Sequence, residues 1–198
     1  MGSGKNGTFD IRPDIRQWAV LVTTAQPFTN TKDIYGKFIA KWWKYFNCEL
    51  FTMALQPIEG HGHWDKRQPF GNLPRQTNND GLVAVLTRAT IRISKLRAFW
   101  QNVRTAASPL QTAEGFIMSI GVGEIPWIKQ ATFSVWQDKQ VMKHYAYGSK
   151  QHSTVISKTR KENWYSEELF VRFKVLSATG TINGINPLEQ YLSTLHHY

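Results

Sequence analysis

A single cysteine, Cys48, stands in a chain of 198 residues. That excludes an internal disulfide and leaves no spacing for a zinc cluster or an iron–sulfur centre. Long apolar runs are missing as well. No stretch approaches the ~18 uninterrupted apolar residues of a membrane-spanning helix, and the N-terminus lacks the apolar core of a signal peptide. The expected location is the cytoplasm. Acidic residues are scarce: 14 Asp and Glu against 24 Lys and Arg give a formal charge of +10 and a pI near 9.8. Such a surplus raises nucleic acid as a partner, yet no RRM, KH or zinc-finger pattern is present and the basic residues are spread. The densest run, Lys158–Thr159–Arg160–Lys161, reads first as a solvated helix face. Together with Lys150 it reads second as a contact for anionic lipid, making the protein peripheral to a membrane. Nucleic acid comes third.

Catalytic contexts are thin too. Ser94, Ser134 and Ser153 have no nucleophile-elbow surroundings, and Cys48 has no activating neighbour, so acyl transfer is excluded as a leading chemistry. The glycines of GSGKNG and GVGE do not sit in a strand–GxxxxGK[ST]–helix context and are not phosphate loops.

What the chain does contain is apolar and aromatic. Apolar residues make up 41% and aromatics 13%, with eight tryptophans, which excludes a disordered chain. The length suits one domain over 1–198. Trp18–Thr24 is β-branched and reads as a strand. Thr29–Tyr45 reads as a helix with Asn30 or Thr31 as cap, because Ile34, Phe38 and Trp42 recur every four residues. Leu50–Pro57 reads as a strand and the Gly- and Pro-rich interval 59–80 as a loop. Leu82–Ile93 alternates as a long strand, with Val83, Val85, Thr87, Ala89 and Ile91 on one face and Arg88 and Arg92 on the other. A helix over Ser94–Ala107, strands over Phe116–Gly121 and Gln130–Trp136, and a helix capped by Asp138 follow. That helix breaks at Gly148 and resumes through His152 to Trp164, before a strand over Leu169–Leu176 and a tail from 177 to 198.

The later elements run β-α-β-β-α-β, the ferredoxin-like split βαβ order. The expected fold class is α+β: two ferredoxin-like halves, an incomplete one at 10–80 and a second at 81–176, in the manner of a dimeric α/β barrel. An antiparallel-rich sheet with helices on one face follows, and a homodimer is compatible with it.

Among the histidines, His152 shares a helical face with Val155, Ile156 and Thr159. An imidazole turned toward a core is either a hydrogen-bonded passenger or a ligand, and spacing alone leaves both open. His144 reads as exposed. His61 and His63, at i and i+2, form with Asp65 a weak candidate for zinc or copper. Glu124 and the pair Glu167–Glu168 could act as general acid or base, but their places at element ends suit amide capping better.

Several segments carry a resemblance: GLVAVLTRATIR (Gly81–Arg92), Phe99–Trp100, IGVGEIPWIKQATFSVW (Ile120–Trp136), the histidine at 152, and ENWYSEELFVRF (Glu162–Phe173). In this order they are similar to the spheroidene monooxygenase family, haem-dependent oxygenases of carotenoid synthesis. Looser similarity runs back through MALQPIEGHGHWDKRQPF to the opening MGSGKNGTF, which resembles the family's glycine-rich turn. One departure is that family members carry a strand and a helix ahead of that turn. The resemblance implies haem as cofactor, with His152 as axial ligand and His144 as the lesser alternative. It also implies dioxygen, an electron donor and an apolar, carotenoid-like substrate. Arg88 and Arg92 are candidates to hold haem propionates by charge-assisted hydrogen bonds. Thr87, Arg88, Trp100, Phe133, Trp136 and Trp164 are the family-matching positions expected to line or brace the pocket. The rival reading is a non-catalytic ferredoxin-like module that binds haem or lipid.

Overall fold

The computed structural model of the chain describes residues 1–3, 10–25, 35–107, 110–148 and 157–192. Its strands are β1 (Gly2–Ser3), β2 (Pro13–Asp14), β3 (Phe51–Gly62), β4 (Val83–Ile91), β5 (Phe116–Ile125), β6 (Lys129–Trp136) and β7 (Tyr165–Gly180). Its helices are α1 (Gly36–Tyr45), α2 (Leu96–Ala107), α3 (Lys139–Gly148), α4 (157–161) and α5 (Glu189–Leu192). The strands form one sheet in the order β2-β1-β5-β6-β4-β7-β3, every pairing antiparallel.

β4 lies at the centre of the second half because both of its faces are apolar. Val83, Val85, Ala89 and Ile91 are buried on one side, and Ala84 and Leu86 on the other. Within β4-α2-β5-β6-α3-β7 the sheet order is β5-β6-β4-β7, which is the ferredoxin-like arrangement. The architecture is α+β, as the element order implied.

α2 and α3 cover one face, called here the helix face. Ile91, Phe99, Trp100 and Trp164 cluster at its α2 end, and Val83, Val85, Trp136 and Met142 at its α3 end. Asp138 starts α3 as expected: its Oδ1 accepts the N–H of Gln140 at 2.6 Å and of Val141 at 2.9 Å. The opposite face packs Leu86, Leu169, Val171, Phe173 and Val175 under Trp64, Phe70 and Leu73 of the 63–80 loop, and under Leu188 and Leu192 near α5.

The first half departs from the reading of its sequence. Trp18–Thr24 forms no strand, and Trp18, Val20, Leu21 and Val22 are exposed. A β-branched run takes up strand geometry only where a neighbour packs and pairs with it, and among the described residues this one joins no ladder. Residues 29–34 of the expected helix lie outside the described residues, and α1 begins at Gly36. β3 runs past Pro57 into the supposed loop as far as Gly62, pairing with β7 throughout. Glycine makes that extension sterically feasible: a Cβ at Gly60 would lie 2.7 Å from the Phe170 carbonyl oxygen. β7 is likewise longer than Leu169–Leu176. Beyond Gly62 the chain turns tightly at Trp64–Arg67, with Asp65 at φ 49° and Lys66 at φ 63° and reciprocal backbone bonds between Trp64 and Arg67. A second turn of this kind closes Ile182–Ile185 through Asn183 and Gly184.

Candidate functional site

On the helix face the sheet carries a polar strip between the two apolar clusters. The pairing register sets Gly121, Thr132, Thr87, Phe170 and His61 side by side across five strands. Thr87 is exposed there. His61 tilts against Phe170 at 5.5 Å between ring centres, and the Arg172 guanidinium lies 4.6 Å from the same ring. Burial, and after it the positive field of Arg75, holds His61 below the usual imidazole range; Glu168 opposes this, while Arg160 and Arg172 add to it. That shift favours the neutral imidazole.

Beside this strip Glu59 is completely buried. One carboxylate oxygen takes the Arg172 Nη1 and the other the Lys139 Nζ. The second oxygen also accepts the Thr77 amide at 2.8 Å and the Thr77 hydroxyl at 3.1 Å, and Lys139 donates to the Thr77 carbonyl at 2.6 Å. Burial alone would raise the Glu59 pKa, but Lys139, Arg172 and the Thr77 amide together bring it down to about 2. Spacing did not reveal this triad. The available signal was an acid inside the strand-forming stretch MALQPIEG, since a buried carboxylate requires partners.

The opposite face holds Arg88, whose side chain has no exposed surface. Its Nε and Nη2 bond both oxygens of Glu124 at 3.2 Å, Nη1 bonds Glu167 at 2.5 Å, and Nη2 also reaches Asp65 at 3.0 Å. Trp64 packs 5.3 Å from the guanidinium, and Lys129 bonds Asp65 at 2.6 Å. Glu167 further accepts the Asp65 and Lys66 amides, at 2.8 and 2.7 Å, and so caps the tight turn. Glu49 holds the second turn in the same way, accepting from Asn183 and Gly184 at 2.9 and 2.6 Å. Glu124 thus serves as a charge partner and Glu167 as both charge partner and amide cap, in line with the structural reading of these acids.

The expected site residues do not converge. Trp100 and Trp164 belong to the α2 cluster, with Trp100 donating to the Trp127 carbonyl at 3.2 Å and Trp164 to Glu162 at 2.9 Å. Trp136 belongs to the α3 cluster, 5.4 Å from Phe116 and 5.2 Å from Tyr145. Phe133 packs on the other face of the sheet. Arg88 and Arg92 do not act together as expected. Arg88 is enclosed by three carboxylates, and Arg92 lies past the end of β4, exposed. The metal candidate His61–His63–Asp65 is dispersed as well, because Gly62 at φ 94° interrupts the alternation and Asp65 turns to Arg88. Among the described residues no group of three or more His, Cys, Asp or Glu side chains could hold a metal ion. His144 is exposed on α3, as expected, while His152 lies outside the described residues, as do Lys150 and His196–His197. Lys158 packs over Trp164 at 5.8 Å and bonds Asn102 at 3.4 Å, leaving Arg160 and Lys161 on the exposed side of α4.

Haem is the group this pattern implied. The arginine expected to anchor it is already neutralised. A cleft lined by Met1, Trp100, Trp127 and Gln130 measures about 10 Å³, room for about one water molecule. No described helix is long and apolar enough to cross a membrane.

Comparison with known proteins places the chain. No family model matches it. Solved structures are similar to parts of it at low identity. A conserved protein from Methanosarcina mazei is 12% identical, with a TM-score of 0.42 over 48% of this chain and 92% of that one. The cofactor-independent oxygenase SnoaB from Streptomyces nogalater is 14% identical, with a TM-score of 0.39 over 49% of this chain and 95% of that one. Curated relatives are nearer in sequence. The spheroidene monooxygenase of Cereibacter sphaeroides is 31% identical over 97% of this chain, and the chain spans 59% of that relative's length. The Rhodobacter capsulatus enzyme of the same name is 34% identical over 94% of this chain and 78% of its own, and that of Rubrivivax gelatinosus 32% over 93% and 70%. With this identity running through the ferredoxin-like half and the segments around it, the chain belongs to the spheroidene monooxygenase family.

Proposed function

We propose that the protein is a monooxygenase that inserts one atom of dioxygen into a carotenoid or similarly long apolar molecule, with reducing equivalents from an external electron donor. The observation that carries this reading is the family kinship, which extends over more than nine-tenths of the chain. We read the polar strip around Thr87 and Thr132, flanked by the aromatic clusters of α2 and α3, as the place of the substrate. Apolar walls would hold a hydrocarbon by burial, and the hydroxyls and the neutral His61 would orient its polar end.

Haem enters this proposal through His152 alone, with His144 as the rival ligand. Arg88 is not its anchor, since three carboxylates already neutralise it. Titration of the purified protein with hemin tests this half. A Soret band lost in His152→Ala and kept in His144→Ala would support His152; a protein that stays colourless would remove haem and favour a non-catalytic binding module. The reaction itself is tested in a bacterial host that accumulates an acyclic carotenoid, which also supplies the donor. The expected product carries one additional oxygen atom by mass spectrometry. An unchanged pigment profile, with the protein present and folded, would overturn the oxygenase reading.

A further inference from the structure

α1 is a helix without a core. None of its residues is buried, yet the helix with its C-terminal cap Phe46, GKFIAKWWKYF, is strongly two-sided. At 100° per residue, Lys37, Lys41 and Lys44 fall within one narrow face; Trp42 and Phe46 lie on the far side from it, Phe38 on the flank between, and Tyr45 borders the lysines. Phe38 is 82% exposed, Tyr45 83%, Phe46 58% and Trp42 41%. The rings form a continuous patch: Trp42 meets Phe46 at 5.4 Å, Phe46 meets Tyr45 at 5.0 Å, and Trp18 closes on Trp42 at 6.0 Å. Val20, Leu21 and Val22 extend the exposed apolar surface along the chain from Trp18.

The geometry points to α1 as an interfacial helix that docks the protein on an anionic lipid surface. The chemistry of the two faces selects that occupant. A protein partner that covered only the aromatic patch would leave three lysines and no acid on the polar face without a role. At a bilayer boundary both faces are used. Tryptophan and tyrosine rings settle at headgroup depth, and lysines above them meet phosphate. The formal charge of +10 favours the same approach. This surface is distinct from the α4 run suggested by charge density alone. It does not depend on the reaction, so an inactive protein would still dock.

Flotation with vesicles tests it, comparing phosphatidylcholine alone with phosphatidylcholine mixed with phosphatidylglycerol, at low and at physiological salt. The protein should float with the anionic vesicles and fade as salt rises. Lys37→Gln/Lys41→Gln/Lys44→Gln should weaken binding about a hundredfold at low salt, each lysine near the surface contributing about fivefold. Trp42→Ser/Phe46→Ser should weaken it about tenfold or more on every vesicle. All five positions are exposed or half-exposed, so circular dichroism should report an unchanged fold. Wild-type protein that ignores anionic vesicles would overturn the inference, as would variants that bind as well as wild type. Sedimentation showing a dimer that Trp42→Ser/Phe46→Ser dissociates, with no lipid binding, would reassign the patch to a second copy of the chain.

Discussion

Replacing Glu59 by glutamine should expose how strongly the helix face depends on one carboxylate. The side chain is fully buried between Lys139 and Arg172. Its pKa of about 2, against an ordinary 4.5, corresponds to about 3 kcal/mol of stability at about 1.4 kcal/mol per pH unit. A group whose folded pKa is depressed contributes fully above its unfolded value and loses that contribution as pH falls toward the folded one. Glu59→Gln should therefore lower stability by about 3 kcal/mol at pH 7, a Tm drop of about 6–12 °C for a chain of this size. The gap between variant and wild type should close as pH falls from 4.5 toward 2. Glutamine keeps the shape and the acceptor for Thr77, so the difference reports two buried cations left without their anion. Thermal unfolding followed by circular dichroism, across pH 2–7, measures it. A variant within about 2 °C of wild type at pH 7, or a gap that does not narrow in acid, would refute the reasoning.

Arg88→Leu should cost about 3 kcal/mol in urea unfolding at pH 7, the lower end for a broken buried pair, because Asp65 and Glu124 retain solvent. That loss should shrink below the ordinary carboxylate range, since the depressed pKa values of Asp65 and Glu167 in the native protein derive in part from Arg88. Gly62→Ala combines left-handed strain with a Cβ 2.0 Å from the Glu168 carbonyl oxygen, whereas Gly71→Ala, at φ 73°, meets nothing within 4 Å. The second should cost about 1 kcal/mol, and the first distinctly more by the same unfolding assay; equal costs would remove close strand approach as the reason for glycine at 62.

The second half was legible because its information is local. Gly81 and the alternation after it mark β4, Asp138 marks the start of α3, and the β-α-β-β-α-β order leaves few ways to form a sheet. The polar clusters were not legible for the opposite reason. Arg88 draws its partners from positions 65, 124 and 167, and only a finished sheet brings those together. Periodicity placed Arg88 on the face away from Val83 and Val85, which is correct, but it could not say that acids were already there. Trp18–Thr24 shows the converse error, a strand composition that joins no ladder among the described residues. The glycines at 60 and 62 read as loop punctuation when their function is to let β3 and β7 pass closely.

The sheet order also bears on how the chain folds. Among the described residues, β3, in the first third of the chain, pairs with β7 alone, near the end, with Phe51 opposite Gly180 and Gly62 opposite Leu169. β7 is also the strand that covers the second edge of β4. Until β7 has been synthesised, β3 has no hydrogen-bonding partner among the described strands and β4 has a single neighbour, β6. Closing so long a loop is slow, and unpaired edges invite association with other chains in the meantime. Assembly should thus be a late and cooperative event, with the last long strand setting both edges of its neighbours at once. Nascent chains that stop before Tyr165 should be the species most in need of a chaperone.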